Sequence, residues 1–162
     1  MLTYVMSNLL IEFLASFLIY FLFFGLAILW VVDGKVKKEQ VLHALLAALV
    51  AYLITAIIKI MFPTLRPFRV DGLPPLTFTI PGDSSFPSGH SAEAFAIAIT
   101  VWLHDKKTGW VFLGTALLVG VARVWANVHY PIDIFFGALI GTIVAVSIER
   151  THLFNFFTKK RK

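Results

Sequence analysis

Residues 86–98 read FPSGHSAEAFAIA. Pro87, Ser88 and Gly89 make a small polar turn, and the chain then runs apolar to Leu103, with His90 and Glu93 at the entrance. Serine caps helix N-termini and glycine allows close backbone approach, so the turn reads as the start of a helix. Ser88–Leu103 is too long and too apolar for a strand, which makes it a candidate membrane span.

Four other stretches follow the same pattern. Leu9–Val32 is interrupted only by Glu12, Val41–Phe62 contains His43 and Lys59, Trp110–Val128 contains Arg123, and Pro131–Ile148 contains Asp133. The expected fold is therefore all-α, a polytopic transmembrane helix bundle of about five spans. A spanning helix needs about 20 residues, so the third and fifth segments are short and their ends are expected in a thinned or protein-lined region. Composition agrees: the 162 residues are 59% hydrophobic and only 14% charged, against about a quarter charged in soluble domains. One membrane domain over residues 1–162 is expected. The N-terminal run lacks a basic flank and a cleavage site, and reads as a retained span. With no cysteine, disulfides and thiolate metal sites are excluded.

The net charge of +5 is explained by topology, and no nucleic-acid partner is expected. Lys35, Lys37, Lys38, Lys106, Lys107, Arg150, Lys159, Lys160, Arg161 and Lys162 fall on one side of a five-span arrangement. The positive-inside rule makes that side cytoplasmic, with the N-terminus out, the C-terminus in and residues 149–162 a basic cytoplasmic tail. Lys59, Arg66, Arg69 and Arg123 are left for the opposite side. The 63–87 connection, with six of the seven prolines, is then an extracytoplasmic loop, of a length that marks functional or disordered segments.

Costly polar residues converge at that outer level. Lys59 closes the second span, Arg66 follows it, Ser88, Gly89 and His90 open the third, Arg123 ends the fourth, and His129 and Asp133 bracket the start of the fifth. Ionisable residues inside a membrane face a cavity or each other. Lys59, Arg66 and Arg123 suit phosphate oxygens, and the amides at the helix start of Ser88 and Gly89 add donors and a favourable dipole. Pro131 fits the first helical position, so His129 sits at the helix mouth with Asp133 four residues on. A carboxylate there fixes the imidazole tautomer and leaves the other nitrogen free to attack phosphorus. His90 is placed to protonate the leaving oxygen.

His90, His129 and Asp133 are acceptable metal ligands, but three cations in the same cavity oppose a divalent ion, and no metal or other cofactor is expected. His43, His104 and His152 read as interfacial, Arg69 and Asp83 as surface loop charges. Glu93 reads as tuning His90, as lining the cavity, or as a buried neutral acid bonded to a neighbouring helix, and Glu12 has the right depth for contact. The glycines of GALIG, Gly137–Gly141, allow close helix contact.

KIMFPTLRP (Lys59–Pro67), PSGH (Pro87–His90) and ARVWANVHYPID (Ala122–Asp133) resemble, in order and spacing, the three motifs of the type 2 phosphatidic acid phosphatase superfamily, across residues 40–148. Ala122 departs from the pattern by replacing a serine. The resemblance implies a metal-independent membrane lipid phosphatase. His129 becomes a nucleophile that forms a phosphohistidine, Asp133 its orienting carboxylate and His90 the acid. Lys59, Arg66, Ser88, Gly89 and Arg123 become the phosphate-binding set. The wider text is similar to that of bacterial undecaprenyl-diphosphatases, which implies undecaprenyl diphosphate as substrate. Phosphatases of phosphatidylglycerophosphate, phosphatidic acid and lipid A share the motifs. A non-catalytic anionic-lipid binding or transport protein would use the same cations without needing His129.

Overall fold

The computed structural model describes residues 2–32 and 38–151. Six helices follow one another: α1 (Leu2–Val31), α2 (Lys38–Met61), α3 (Pro67–Asp71), α4 (Gly89–His104), α5 (Lys106–Trp125) and α6 (Pro131–Thr151). The fold is all-helical over these residues, as expected. α1, α2, α5 and α6 are long and apolar enough to cross a membrane. The span expected over Ser88–Leu103 is α4, whose 16 residues cover only about 24 Å at 1.5 Å per residue, less than the ~30 Å of a bilayer core. The last span is longer than its apolar run suggested, at 21 residues. Of the basic residues used to orient the chain, Lys35, Lys37 and the tail residues Lys159–Lys162 lie outside the described residues, as does His152.

α4 can be short because it is the centre of the bundle. Ala92, Ala94, Ala96, Ile97 and Ala98 are fully buried, and α2, α5 and α6 pack around them. Lipid hydrocarbon gives no hydrophobic drive for one helix to join another, so close van der Waals packing of small residues must hold them. Gly137 and Gly141 show how tightly α6 lies on α4. A Cβ at Gly137 would stand 2.4 Å from the carbonyl oxygen of Ser88, and one at Gly141 2.1 Å from that of Ala92. The close contact expected of GALIG is made here. Outward faces are apolar in turn: Phe13, Phe21, Phe24, Leu49, Leu53, Ile57, Trp110 and Val111 are all exposed, as suits side chains that meet lipid.

The helix ends follow from local chemistry. Ser88 caps α4 by accepting from the Ser91 amide at 3.4 Å. Asp105 alone joins α4 to α5 and caps the latter, accepting from Thr108 Oγ1 at 2.6 Å. Pro67 and Pro131 begin α3 and α6, where proline's fixed φ and missing N–H cost nothing.

The two ends of the bundle differ. At one, Glu149 of α6 bridges His43 of α2 (3.0 Å) and His104 of α4 (2.8 Å). Against the interfacial positions that the sequence suggests for His43 and His104, His43 is 3% exposed and both join a network that ties three helices together. At the other end the 63–87 connection is stitched down by Phe68 N to Asn127 O (3.2 Å), Leu76 N to Ala126 O (2.9 Å) and Phe78 N to Ser16 Oγ (2.9 Å).

Candidate active site

Under that connection lies a cavity of about 190 Å³, lined among others by Lys59, Arg66, Gly89, His90, Arg123 and His129. Four elements supply them. Lys59 comes from the last turn of α2, Arg66 precedes α3, Gly89 and His90 open α4, and Arg123 ends α5. His129 sits in the short α5–α6 turn. Residues far apart in the chain are thus brought to one depth.

His129 and Asp133 are each 2% exposed. Nδ1 of His129 lies 3.4 Å from Oδ2 of Asp133, and that same oxygen accepts from Ser85 Oγ at 2.6 Å and from the Tyr130 amide at 2.9 Å. The backbone of the pair is fixed as well: Ser88 N donates to Asp133 O at 3.0 Å, which ties the N-termini of α4 and α6 side by side. On the ring's other side Nε2 lies 3.3 Å from Arg66 Nη1. Burial pushes the His129 pKa down to about 4; Asp133 opposes this, and Arg123, Arg66 and Lys59 add to it. The ring is therefore neutral at ordinary pH.

Arg66 is the best-anchored cation. Its Nε and Nη2 donate to Asp83 (O at 3.0 Å, Oδ1 at 2.6 Å) and its Nη1 to Val128 O at 2.8 Å. Arg123 Nη1 donates to Ala15 O of α1 at 2.9 Å, while its buried Nε has no hydrogen-bond partner among the described residues. An orphaned buried donor on a cavity wall is what an anion would satisfy.

Asp83, read from sequence as a surface charge, is in fact part of the site. Its carboxylate lies 2.8 Å from Lys59 Nζ and 2.6 Å from Arg66 Nη2, and Lys59 also donates to Ser84 O. Burial would raise the Asp83 pKa, but the hydrogen bonds and charges of Lys59 and Arg66 outweigh it and hold the value at about 2. Ser85 was missed too; its only signal was adjacency to the PSGH turn. Arg69 does remain at the surface, donating to Gly82 O at 3.2 Å.

Three other residues fall outside the cavity lining. Ser88 is fully buried, its hydroxyl accepting from Ser91 N and Oγ; it shapes the start of α4 from behind. Glu12 lies half-buried on α1. Ala122 packs with Ala15, Ala126 and Val128 in a small apolar cluster, away from where a phosphate would sit. Glu93 does line the cavity.

Residues 40–157 match the model of the PAP2 superfamily, and the chain belongs to that superfamily. It is a multi-pass membrane hydrolase of the lipid-phosphatase class. Among its relatives, the bacitracin transport permease protein BcrC of Bacillus licheniformis is 36% identical over 90% of this chain and 71% of its own. The undecaprenyl-diphosphatase BcrC of Bacillus subtilis is 31% identical over 72% of this chain and 59% of its own. In three dimensions the chain is similar to LpxE of Aquifex aeolicus, with a TM-score of 0.71 and 30% identity over 90% of this chain and 84% of the other. A PAP2-type phosphatidylglycerolphosphate phosphatase from Bacillus subtilis gives 0.59 and 25%, over 99% and 79%.

Proposed function

We propose that this protein hydrolyses a lipid diphosphate, undecaprenyl diphosphate in the first place, to the monophosphate through a phosphohistidine on His129. One observation carries the reading. His129 faces a cationic cavity through Nε2 while a buried carboxylate backs Nδ1. An arginine only donates and a carboxylate only accepts. With Arg66 on Nε2 and Asp133 on Nδ1, the proton belongs on Nδ1 and the lone pair on Nε2.

Lys59, Arg66 and Arg123, with the Gly89 and His90 amides at the start of α4, hold the terminal phosphate. Nε2 attacks its phosphorus as the bond to the leaving oxygen breaks, and that oxygen takes a proton from His90. Asp133 stabilises the charge that develops on the ring. Water then attacks the phosphohistidine, giving its proton to His90, and orthophosphate leaves with His129 restored. No metal ion enters these steps.

Relatives named as undecaprenyl-diphosphatases support the choice of lipid. An extracytoplasmic site is supported by Lys38, Lys106, Lys107 and Arg150, which begin or end helices at the opposite end of the bundle. The permease name of one relative favours a second reading, in which the cations hold an anionic headgroup for transport.

The test is phosphate release in EDTA by purified protein and by His129→Ala, offered undecaprenyl diphosphate, phosphatidylglycerophosphate and phosphatidic acid. Release that disappears in the variant, fastest from the diphosphate, supports the proposal. Headgroup binding by both proteins without release from any lipid favours transport.

A further inference from the structure

The cationic cavity does not end blindly. Beside it is an apolar cavity of about 300 Å³ lined by Phe23, Leu45, Ala48, Leu49, Tyr52 and Glu93. Tyr52 and Glu93 line both. A third, of about 330 Å³, shares Phe23 and Leu45 with the second and continues to Trp30 and Val41. Together they form a track between α1 and α2, over α4. It follows α2 from Tyr52 to Val41, about 17 Å at 1.5 Å per residue. An apolar groove that opens from a lipid phosphatase's catalytic cavity has one fitting occupant, the hydrocarbon tail of the bound lipid.

The position of the tail fixes what must lie at the mouth of the track. In a lipid diphosphate the leaving group is the phosphate bonded to the tail, and it lies in line behind the phosphorus that His129 attacks. That inner phosphate therefore belongs between His90 and the groove, where Tyr52, Thr55 and Glu93 meet. The Thr55 hydroxyl already donates to Tyr52 O at 2.8 Å. Glu93, one helical turn beyond His90, is half-buried and has no hydrogen bond or ion pair among the described residues. Its Oε1 lies 4.0 Å from where a Cβ on Gly89 would stand, at the floor of the cavity. A carboxylic acid there can donate its O–H to a phosphate oxygen, whereas a carboxylate would only repel it.

We propose that this mouth is a second phosphate subsite, and that the Glu93 carboxyl, as a hydrogen-bond donor, selects lipids with two phosphates over lipids with one. The proposal rests on the phosphatase reading above.

The experiment measures kcat/KM for a polyprenyl diphosphate and for the monophosphate of the same tail, with the wild-type chain, Glu93→Ala and Glu93→Gln. The ratio of the two constants does not depend on how much of each preparation is folded. Loss of a hydrogen bond to a charged group lowers that ratio about tenfold in Glu93→Ala. Glu93→Gln, neutral and still a donor, restores it to within about threefold of wild type, the scale of a half-kilocalorie hydrogen-bond difference. An unchanged ratio in Glu93→Ala overturns the subsite, and so does a fall in Glu93→Gln as large as in Glu93→Ala. Absence of release from either lipid by the wild-type chain overturns the phosphatase reading itself, and the subsite with it.

Discussion

Arg66 Nη1 lies 3.3 Å from Nε2 of His129, the nitrogen left free by Asp133. The guanidinium that would bind phosphate thus rests against the lone pair that would attack it. Because arginine cannot accept a hydrogen bond, this contact also reports the tautomer of the ring.

Asp133→Asn tests that arrangement with little change of shape. A side-chain amide carries no charge to stabilise the imidazolium, and an NH2 turned toward Nδ1 drives the proton to Nε2, against Arg66. The expected loss in kcat is on the order of 10³- to 10⁴-fold, the size seen when a catalytic histidine is held in the wrong tautomer. Steady-state kinetics would show it as a fall in kcat, with KM little altered. An effect under about tenfold, well below that tautomer penalty, would count against the assignment.

The pH profile carries a second expectation. On the proposed mechanism His129 attacks only when unprotonated, and its pKa is lowered to about 4. The acid limb of the free enzyme's kcat/KM that belongs to His129 should therefore lie near pH 4, and not near about 6.5, the ordinary histidine value. A His129-dependent acid limb centred near 6.5 would mean that the ring is not desolvated as described.

Asp83→Asn removes a carboxylate from Lys59 and Arg66, where phosphate oxygens would otherwise compete with it. The Asp83 side chain is 55% exposed, so the pair is partly screened and worth roughly 0.2–1 kcal/mol. Inhibition by orthophosphate should tighten by about 1.4- to fivefold, the factor that such an energy implies. Weaker inhibition would mean instead that Asp83 serves mainly to hold the two cations in place.

Gly141→Ala places a methyl 2.1 Å from the Ala92 carbonyl oxygen, while a methyl at Gly114 meets nothing within 4 Å. Overpacking of this kind costs about 1–3 kcal/mol. Thermal unfolding in detergent should show a clear fall for Gly141→Ala and none for Gly114→Ala.

Ala122→Ser restores the residue usual at that place in the superfamily motif. Ala122 packs into an apolar cluster away from the cavity. Its effect on kcat/KM is expected to stay under about threefold, the scale of a weak neutral hydrogen bond.

Much of the fold and of the candidate site was legible because both are written locally. Apolar runs mark the long helices, Ser88 and Pro131 mark two helix starts, and the spacing from Arg123 to His129 to Asp133 places three polar side chains about one turn. What escaped the sequence depends on contacts across the chain. Asp83 meets Arg66 across 17 positions and Ser85 meets Asp133 across 48, in a proline-rich loop without periodicity. His43 finds Glu149 across 106, which no pattern within α2 or α6 encodes. The length of α4 was readable, but its place at the centre of the bundle was not, since that depends on which helices surround it.

The approach of α6 to α4 at Gly137 and Gly141 has a further consequence. The spacing of the starts of α4 and α6, one carrying His90 and the other following His129, is held by closely packed backbones, a ruler made of shape alone. The proposed hold on phosphate is made of charge, and charge answers to its surroundings. Added salt, or a membrane richer in acidic lipid, should therefore loosen the enzyme's grip while leaving its stroke unchanged.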